Sequence, residues 1–442
     1  MDRRGWLVRI LAGAGAAVLA VALAVPVRQG VQAAPAKPGE VKVGFVTFLS
    51  GPAAAPFGVP ARNAAEVLVE QLNAGKAPAP YGAVGIGGVP IRAVYTDEAG
   101  GADKQVAELR RLVLDEKVDL VIGYISSADC LAVAPVAEEL KALTVLFDCG
   151  TNQIFEDASH RYVFRTAGHQ ILDSVGAARY VLRADPRAAT IAGINQNYAW
   201  GQDSWASFRD SMRRLKPGVR VVAELFPKLY AGDYSAEIST LLAARPDVIH
   251  SSFWGGDLEG LVIQGTPRGL GKQGTLVLTT GDTLLPRLGR DLPEGLVVGA
   301  RGPHGALAPD IPLNRWFKSV YTDRYGIRPV YPAYHMAQAL LGVKAAYERA
   351  ASGGEWPTKD QVIAAFEHLT FETPSGPIQM ALGNGHQAVE PSAYGVTGPF
   401  DPKTRERRLV RVVRFSTACV NPPEGMKSAE WISQGFPKAR CP

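Results

Sequence analysis

Residues 118–152 read VDLVIGYISSADCLAVAPVAEELKALTVLFDCGTN. The stretch opens with an apolar run at 118–124, the length of a strand. A hydroxyl-bearing turn, Ser126-Ser127, follows, and residues 131–140 then place apolar side chains at helical spacing. A second apolar run at 144–147 ends in Asp148-Cys149-Gly150. Two strands joined through one helix make a βαβ unit. Continuous apolar runs mark strands covered on both faces of a parallel sheet.

The same alternation extends in both directions. Upstream, residues 41–49 and 91–95 read as strands, and 61–72 and 104–114 as helices. Downstream, 162–165 reads as a crossing segment. The alternation then restarts, with helices at 171–182, 203–215, 234–243 and 258–265 and strands at 190–195, 219–224, 248–252, 275–279 and 296–300. Two consecutive βαβ systems predict an α/β chain of two doubly wound parallel-sheet lobes. The last third differs, with helices at 312–324, 334–351 and 358–368 and short strands at 377–380 and 409–415. A chain that returns to the first lobe and then to the second accommodates this block. Crossings near 165, 302 and 371 would give a three-segment hinge.

The 442 residues are 47% hydrophobic, 20% charged and 8% aromatic, enough apolar material for sizeable cores. The net charge of +5 is unevenly placed, since Arg3, Arg4, Arg9 and Arg28 stand against Asp2 alone in residues 1–33. Without that segment the 47 basic and 42 acidic residues fall to 43 and 41, a net of +2. No stripe of Lys and Arg with interleaved aromatics exists to neutralise phosphates, which argues against nucleic-acid binding. Residues 1–33 read as an export signal. A basic start precedes an uncharged run from Ile10 to Val27, and Val31-Gln32-Ala33 offers a cleavage site near Ala33. Arg3-Arg4 weakly resembles a twin-arginine signal. An uncleaved anchor is the alternative, disfavoured by Pro26, Arg28 and the small residues that follow at once. The mature chain is expected in the periplasm.

The four cysteines, Cys130, Cys149, Cys419 and Cys441, allow three disulfide pairings. Cys130–Cys149 with Cys419–Cys441 closes the shortest loops and is the expected pairing. No C-x-x-C occurs and the seven histidines are scattered, so no metal or other cofactor is expected.

Open parallel sheets bind ligands beyond the carboxyl ends of their strands, so the loops after each strand carry the chemistry. The first, residues 50–58, offers Phe57 as a flat ligand wall or as a staple onto the next helix. The second holds Ser126, Ser127 and Ala128 at a helix start, where hydroxyls and free N–H groups suit a carboxylate or serve as a cap. The third holds Gly150 and Thr151, one permitting close approach and the other donating or accepting. If these two loops are neighbours, a Cys130–Cys149 bond fixes both and contributes roughly 3 kcal/mol. In the second lobe Trp200, Trp254, Asp257 and Asp282 follow strands. The tryptophans suit apolar groups or cations or pack between lobes. The acids suit an ammonium or sit in solvated turns. No G-x-S-x-G, H-E-x-x-H, Walker A or complete G-x-G-x-x-G sequence occurs, and no spacing isolates a catalytic carboxylate pair.

On these residues the chain resembles the branched-chain amino-acid-binding (Leu/Ile/Val) family of ABC-transporter substrate-binding proteins, the type I periplasmic binding proteins. The resemblance lies in Val43 to Gly58, Val121-Ile122-Gly123 with Ser126-Ser127, and Asp148 to Phe155. It continues in Tyr198 to Gly201, the Phe253 to Asp257 loop, and Tyr331 to Ala351 followed by Thr373-Pro374-Ser375-Gly376-Pro377. It implies lobe one at 40–165 and 303–370, lobe two at 166–302 and 371–416, and a C-terminal extension at 417–442. It further implies carboxylate contacts at Ser127, Ala128, Gly150 and Thr151 and aromatic contacts at Phe57 and Trp200. A further contact falls at Asp257 or Trp254, and an ammonium partner near Asp282. Ala128 and Asp129 replace hydroxyl residues, and an acid there would repel a carboxylate. With the two bulky tryptophans, this points away from Leu, Ile or Val. Gly385-His386-Gln387 resembles relatives that bind amides, urea or aromatic acids. The implied function is capture, between two closing lobes, of a small polar or carboxylate-bearing molecule (a branched-chain amino acid, or an aromatic acid or amide) for a membrane permease, with no bond chemistry. The alternatives are a sensory or accessory module that docks on another exported protein, or an enzyme using the same cleft.

Overall fold

The computed structural model describes residues 35–351 and 354–441, and the expected export signal at 1–33 lies outside them. Among the described residues no helix is long and apolar enough to cross a membrane. The described residues include fifteen strands in two sheets. In chain order they are β1 (Val41–Thr47), β2 (Ile91–Asp97), β3 (Leu120–Gly123), β4 (Thr144–Leu146) and β5 (Val163–Arg165), then β6 (Thr190–Ile194), β7 (Arg220–Leu225), β8 (Val248–Ser251), β9 (Thr275–Leu278) and β10 (Val297–Gly299). The last five are β11 (Thr370–Thr373), β12 (Gly376–Leu382), β13 (Gln387–Val389), β14 (Ser392–Asp401) and β15 (Glu406–Phe415).

The first sheet runs β11-β12-β13-β5-β4-β3-β1-β2 and the second β15-β14-β10-β9-β8-β6-β7. In each, the pairs among β1–β5 or β6–β10 are parallel, as buried apolar runs linked by helices require. Each sheet carries an antiparallel ribbon at one edge, β11-β12-β13 in the first and β14-β15 in the second. Apolar side chains are buried on both faces of both sheets. The largest cluster reaches from Val43, Phe45 and Leu340 in the first lobe to Trp200 and Trp254 of the second.

The chain crosses between sheets three times, after β5, after β10 and after β13. The third crossing is at Glu390-Pro391, not near 371. Residues 370–382 form a hairpin of the first sheet, with Phe371, Ile378 and Met380 buried in its core. Alternating burial along these strands shows that one face is covered. It does not say which sheet covers it. Strand β14 is not among the expected strands, and it contains Gly395, Gly398 and Pro399, residues disfavoured in strands. The glycines stand where the ribbon is crowded: a Cβ at Gly395 would lie 3.1 Å from Val412, and one at Gly398 would lie 3.0 Å from Val410.

The C-terminal extension is built into the second lobe. Cys419, Val420, Trp431, Ile432 and Phe436 are buried in one cluster with Phe208 and Met212 of the helix Ala199–Leu215. Cys130–Cys149 and Cys419–Cys441 are both disulfides. Lys427 pairs with Asp157 at 2.9 Å, and Asn384 N donates to Glu424 at 2.9 Å, so the extension also touches the first lobe. Replacing a fully buried tryptophan by alanine removes its packing and leaves a cavity. Trp431→Ala is expected to cost about 3–5 kcal/mol, read as a lowered denaturant midpoint. An unchanged midpoint would show that the extension does not support the lobe.

Candidate functional site

The carboxyl ends of β1, β3 and β4 face those of β6, β8, β9 and β10 across a narrow gap. The first lobe lines it with Phe57, Ile125, Ser127, Asp148, Gly150 and Tyr331. The second contributes Tyr198, Trp200, Trp254, Thr280 and Arg301. The walls are aromatic. The Trp254 ring meets Phe57 at 5.5 Å and Phe48 at 5.8 Å across the gap, and Phe57 meets Tyr331 at 5.4 Å. Both indoles are oriented by their N–H groups, Trp200 donating to Ser252 O at 2.8 Å and Trp254 to the Tyr198 hydroxyl at 2.7 Å.

The lobes are in contact. Gly256 N donates to Pro52 O at 3.0 Å, and Thr151 Oγ1 donates to Asp203 at 2.5 Å. Arg301 sits at the polar end of the gap with its guanidinium 4.6 Å from the Trp200 ring. Nη1 donates to the Asp148 carbonyl and, at 2.8 Å, to Asp148 Oδ1, and Nη2 donates to Gly168 O at 3.1 Å. Nε lies 3.5 Å from Asp173. Burial disfavours the charge on Arg301, but Asp148 and Asp173 outweigh that and raise its pKa. Burial pushes Asp173 up to about 8 even against Arg301. Arg301 also has a left-handed backbone, φ 49°, a conformation that non-glycine residues keep where surroundings enforce it.

Five residues expected from the sequence line this gap: Phe57, Ser127, Gly150, Trp200 and Trp254. The other five do not. Ser126 caps the helix Ser127–Glu139, accepting from Asp129 N. Ala128 is exposed on that helix. Thr151 spends its hydroxyl on Asp203. Asp257 is occupied by Gln196 Nε2 at 2.7 Å and Tyr230 N at 2.8 Å. Asp282, expected as an ammonium partner, accepts from Ala306 N and Tyr331 N and lies 3.1 Å from Arg328. Asp129 does not line the gap either, and burial raises its pKa to about 6.

Ile125, Asp148, Tyr198, Thr280, Arg301 and Tyr331 are additions. Four of them lie in the very loops singled out in the sequence, and Arg301 follows the strand expected at 296–300, so the strand-end rule applied evenly marks it. Tyr331 begins the helix Tyr331–Ala350 and reaches the gap only through the chain's return to the first lobe.

Behind Arg301, His304, His335 and Glu390 place metal-ligand atoms within 4.8 Å of one another. Both His335 nitrogens are already engaged, Nδ1 with Asp148 Oδ1 at 2.5 Å and Nε2 with Arg301 O at 3.1 Å. The Arg301 charge nearby also disfavours a cation. The group is a hydrogen-bonded knot at the hinge. Glu390, on the third crossing, accepts from Gly168 N of the first at 2.6 Å and lies 3.0 Å from His304 of the second.

Two outcomes follow from this geometry. A Cβ at Gly150 would lie 2.2 Å from the Trp200 ring, so Gly150→Ala is expected to hold the lobes apart. Small-angle scattering would then give a larger radius of gyration than the wild type, and equal radii would mean that Trp200 swings clear. The unfolded pKa of an aspartate is about 3.9, and folded Asp129 keeps its proton to about 6. The folded state therefore binds more protons between those values, and this contribution to stability is lost as pH rises through the window. The melting temperature of Asp129→Asn should gain on the wild type from pH ~4 to ~6 and hold its lead above that. A constant difference would mean that Asp129 ionises normally.

A family profile described as periplasmic binding protein matches residues 40–397. A Leu/Ile/Val-binding protein homolog from Brucella abortus is 22% identical over 307 residues, covering 68% of this chain and 76% of the relative. The solute binding protein of an ABC transporter from Rhodopseudomonas palustris, solved in complex with 3,4-dihydroxybenzoic acid, superposes with a TM-score of 0.72 at 21% identity over 86% of this chain and 98% of that one. A leucine binding protein from Thermotoga maritima gives 0.70 at 20% identity, covering 84% and 98%. These are solute-binding proteins rather than enzymes. With the profile spanning most of its length, the chain belongs to the periplasmic binding protein family.

Proposed function

We propose that this chain is the exported receptor of an ABC transporter, capturing one small carboxylate-bearing molecule with a flat apolar body between its lobes for delivery to a membrane permease. The observation that carries this reading is the meeting, in one gap, of aromatic walls with a cluster of underused hydrogen-bond donors. Ser127 Oγ accepts from Gly150 N and Thr151 N at 3.2 Å each and keeps its own proton for a ligand. Tyr198 accepts from Trp254 and likewise keeps its proton. Of the five Arg301 N–H groups, one on Nη2 has no acceptor among the described residues.

Flat rings bury well between Trp200, Trp254, Phe57 and Tyr331. An aromatic acid fits these walls better than a branched aliphatic amino acid does. The R. palustris structure holding a dihydroxybenzoic acid supports the same ligand class. Capture needs no bond chemistry, since a ligand touching both lobes favours the state in which they meet.

Titration of the mature protein with aromatic acids, branched-chain amino acids and amides is expected to change tryptophan fluorescence with aromatic acids at one site. Trp200→Ala and Trp254→Ala should each weaken capture by roughly 10-fold or more, as loss of a buried aromatic anchor does. Binding of leucine, isoleucine or valine with no response to aromatic acids would overturn the ligand class.

A further inference from the structure

Asp148 is a buried carboxylate, 1% exposed, and it lines the gap. Its two oxygens are used unequally. Oδ1 receives both Arg301 Nη1, at 2.8 Å, and His335 Nδ1, at 2.5 Å. Oδ2 receives no hydrogen bond from any described residue. The backbone carbonyl of the same residue is also held by Arg301. The side chain therefore has one oxygen fixed by the protein and one left over, in a space lined by tyrosine, tryptophan and phenylalanine rings.

A buried acceptor without a donor is costly, and a carboxylate oxygen more so than a carbonyl. While the gap holds water, solvent can supply that donor. When the lobes close on a solute, the solute must do so. No hydrogen bond runs to Oδ2 from the hydroxyls of Ser127, Tyr198 or Tyr331, which line the same gap. Ser127 Oγ and the Tyr198 hydroxyl accept from other partners, and the Tyr331 hydroxyl bonds no described residue.

We infer that Asp148 is a specificity-determining residue that selects solutes carrying an O–H or N–H donor in addition to their carboxylate. The inference rests on the proposed capture of a small acid in this gap and deepens it. Ser127 and the remaining Arg301 N–H receive the acid, and Asp148 Oδ2 receives the donor. A solute of the same shape without that donor strands the carboxylate oxygen on closure. Sites built around a hydrogen bond reject analogues that lack it, because the protein's own polar group is then unpaired. Asp282 cannot take this role, since both of its oxygens are committed within the protein, and Asp257, whose two hydrogen bonds fall on Oδ2, does not line the gap.

The test is a set of matched probes measured by calorimetry on the mature protein: benzoate against 2-, 3- and 4-hydroxybenzoate, and 3-phenylpropanoate against phenylalanine. At least one donor-bearing member of a set is expected to bind about 10- to 100-fold more tightly than its donor-free partner, given what a buried carboxylate oxygen without a donor costs. In Asp148→Asn, which keeps the shape and offers an amide in place of the free oxygen, that advantage should shrink to less than about 3-fold, the margin expected once the charge-assisted bond is gone. The wild-type comparison does not depend on how the variant folds. Equal affinity within every matched set would overturn the role of Asp148 and leave capture of a small acid standing. Absence of binding by any probe would overturn the capture of aromatic acids, and the inference with it. An unchanged advantage in a folded Asp148→Asn protein would assign the selection to another group.

Discussion

A guanidinium removed from water must find its counter-charges where it lies, and the meeting point of the lobes is organised around that need. Arg301 is bound to the Asp148 carboxylate and carbonyl, to the Gly168 carbonyl and to Asp173. These partners come from the loop after β4, from the first crossing and from the helix Gln170–Ala184 that follows it. An uncompensated charge in such a place costs several kcal/mol, so any packing of the lobes that separates these groups is penalised. Trp200 lies against the same guanidinium and inherits its position. One side of the aromatic wall, Trp200, thus shares its place with the polar end of the gap.

The hinge answers to a similar constraint. Three chain segments must pass side by side between the lobes, and all three are tied to Glu390. It accepts from Gly168 N and lies beside His304 in the other two. Asn421 of the extension in turn donates to the Glu390 carbonyl at 2.9 Å. Burial pushes the pKa of His304 down despite the acid beside it. The knot therefore works through hydrogen bonds to a carboxylate more than through a full ion pair, a geometry that demands close register between the three strands of chain.

Much of this architecture could be read from the sequence because the parallel strands are continuous apolar runs separated by helices, a pattern that needs no tertiary information. The strand-end rule then pointed to loops, and within those loops it found Ser127, Gly150, Trp200 and Trp254. It could not tell a side chain that faces the gap from one that braces it. Thr151, Asp257 and Asp282 sit at the right strand ends and spend their oxygens on Asp203, on Gln196 and Tyr230, and on Ala306, Tyr331 and Arg328. Those partners are distant in sequence, so local reading has no access to them. The third crossing was misplaced for the same reason. The hairpin of β11 and β12 shows a buried face in its alternation, but the identity of the sheet it joins is a long-range fact.

The bond between Cys130 and Cys149 links the first turn of the helix that carries Ser127 to the loop that carries Asp148 and Gly150. One half of the binding gap is thereby stitched together when the chain first oxidises, long before any solute arrives. The ordering of that half is charged to folding, so under the proposed capture it adds nothing to the cost of binding. The order of this half of the gap therefore depends on whether the chain meets an oxidant. A copy that never met an oxidant would carry the same residues on a slacker frame.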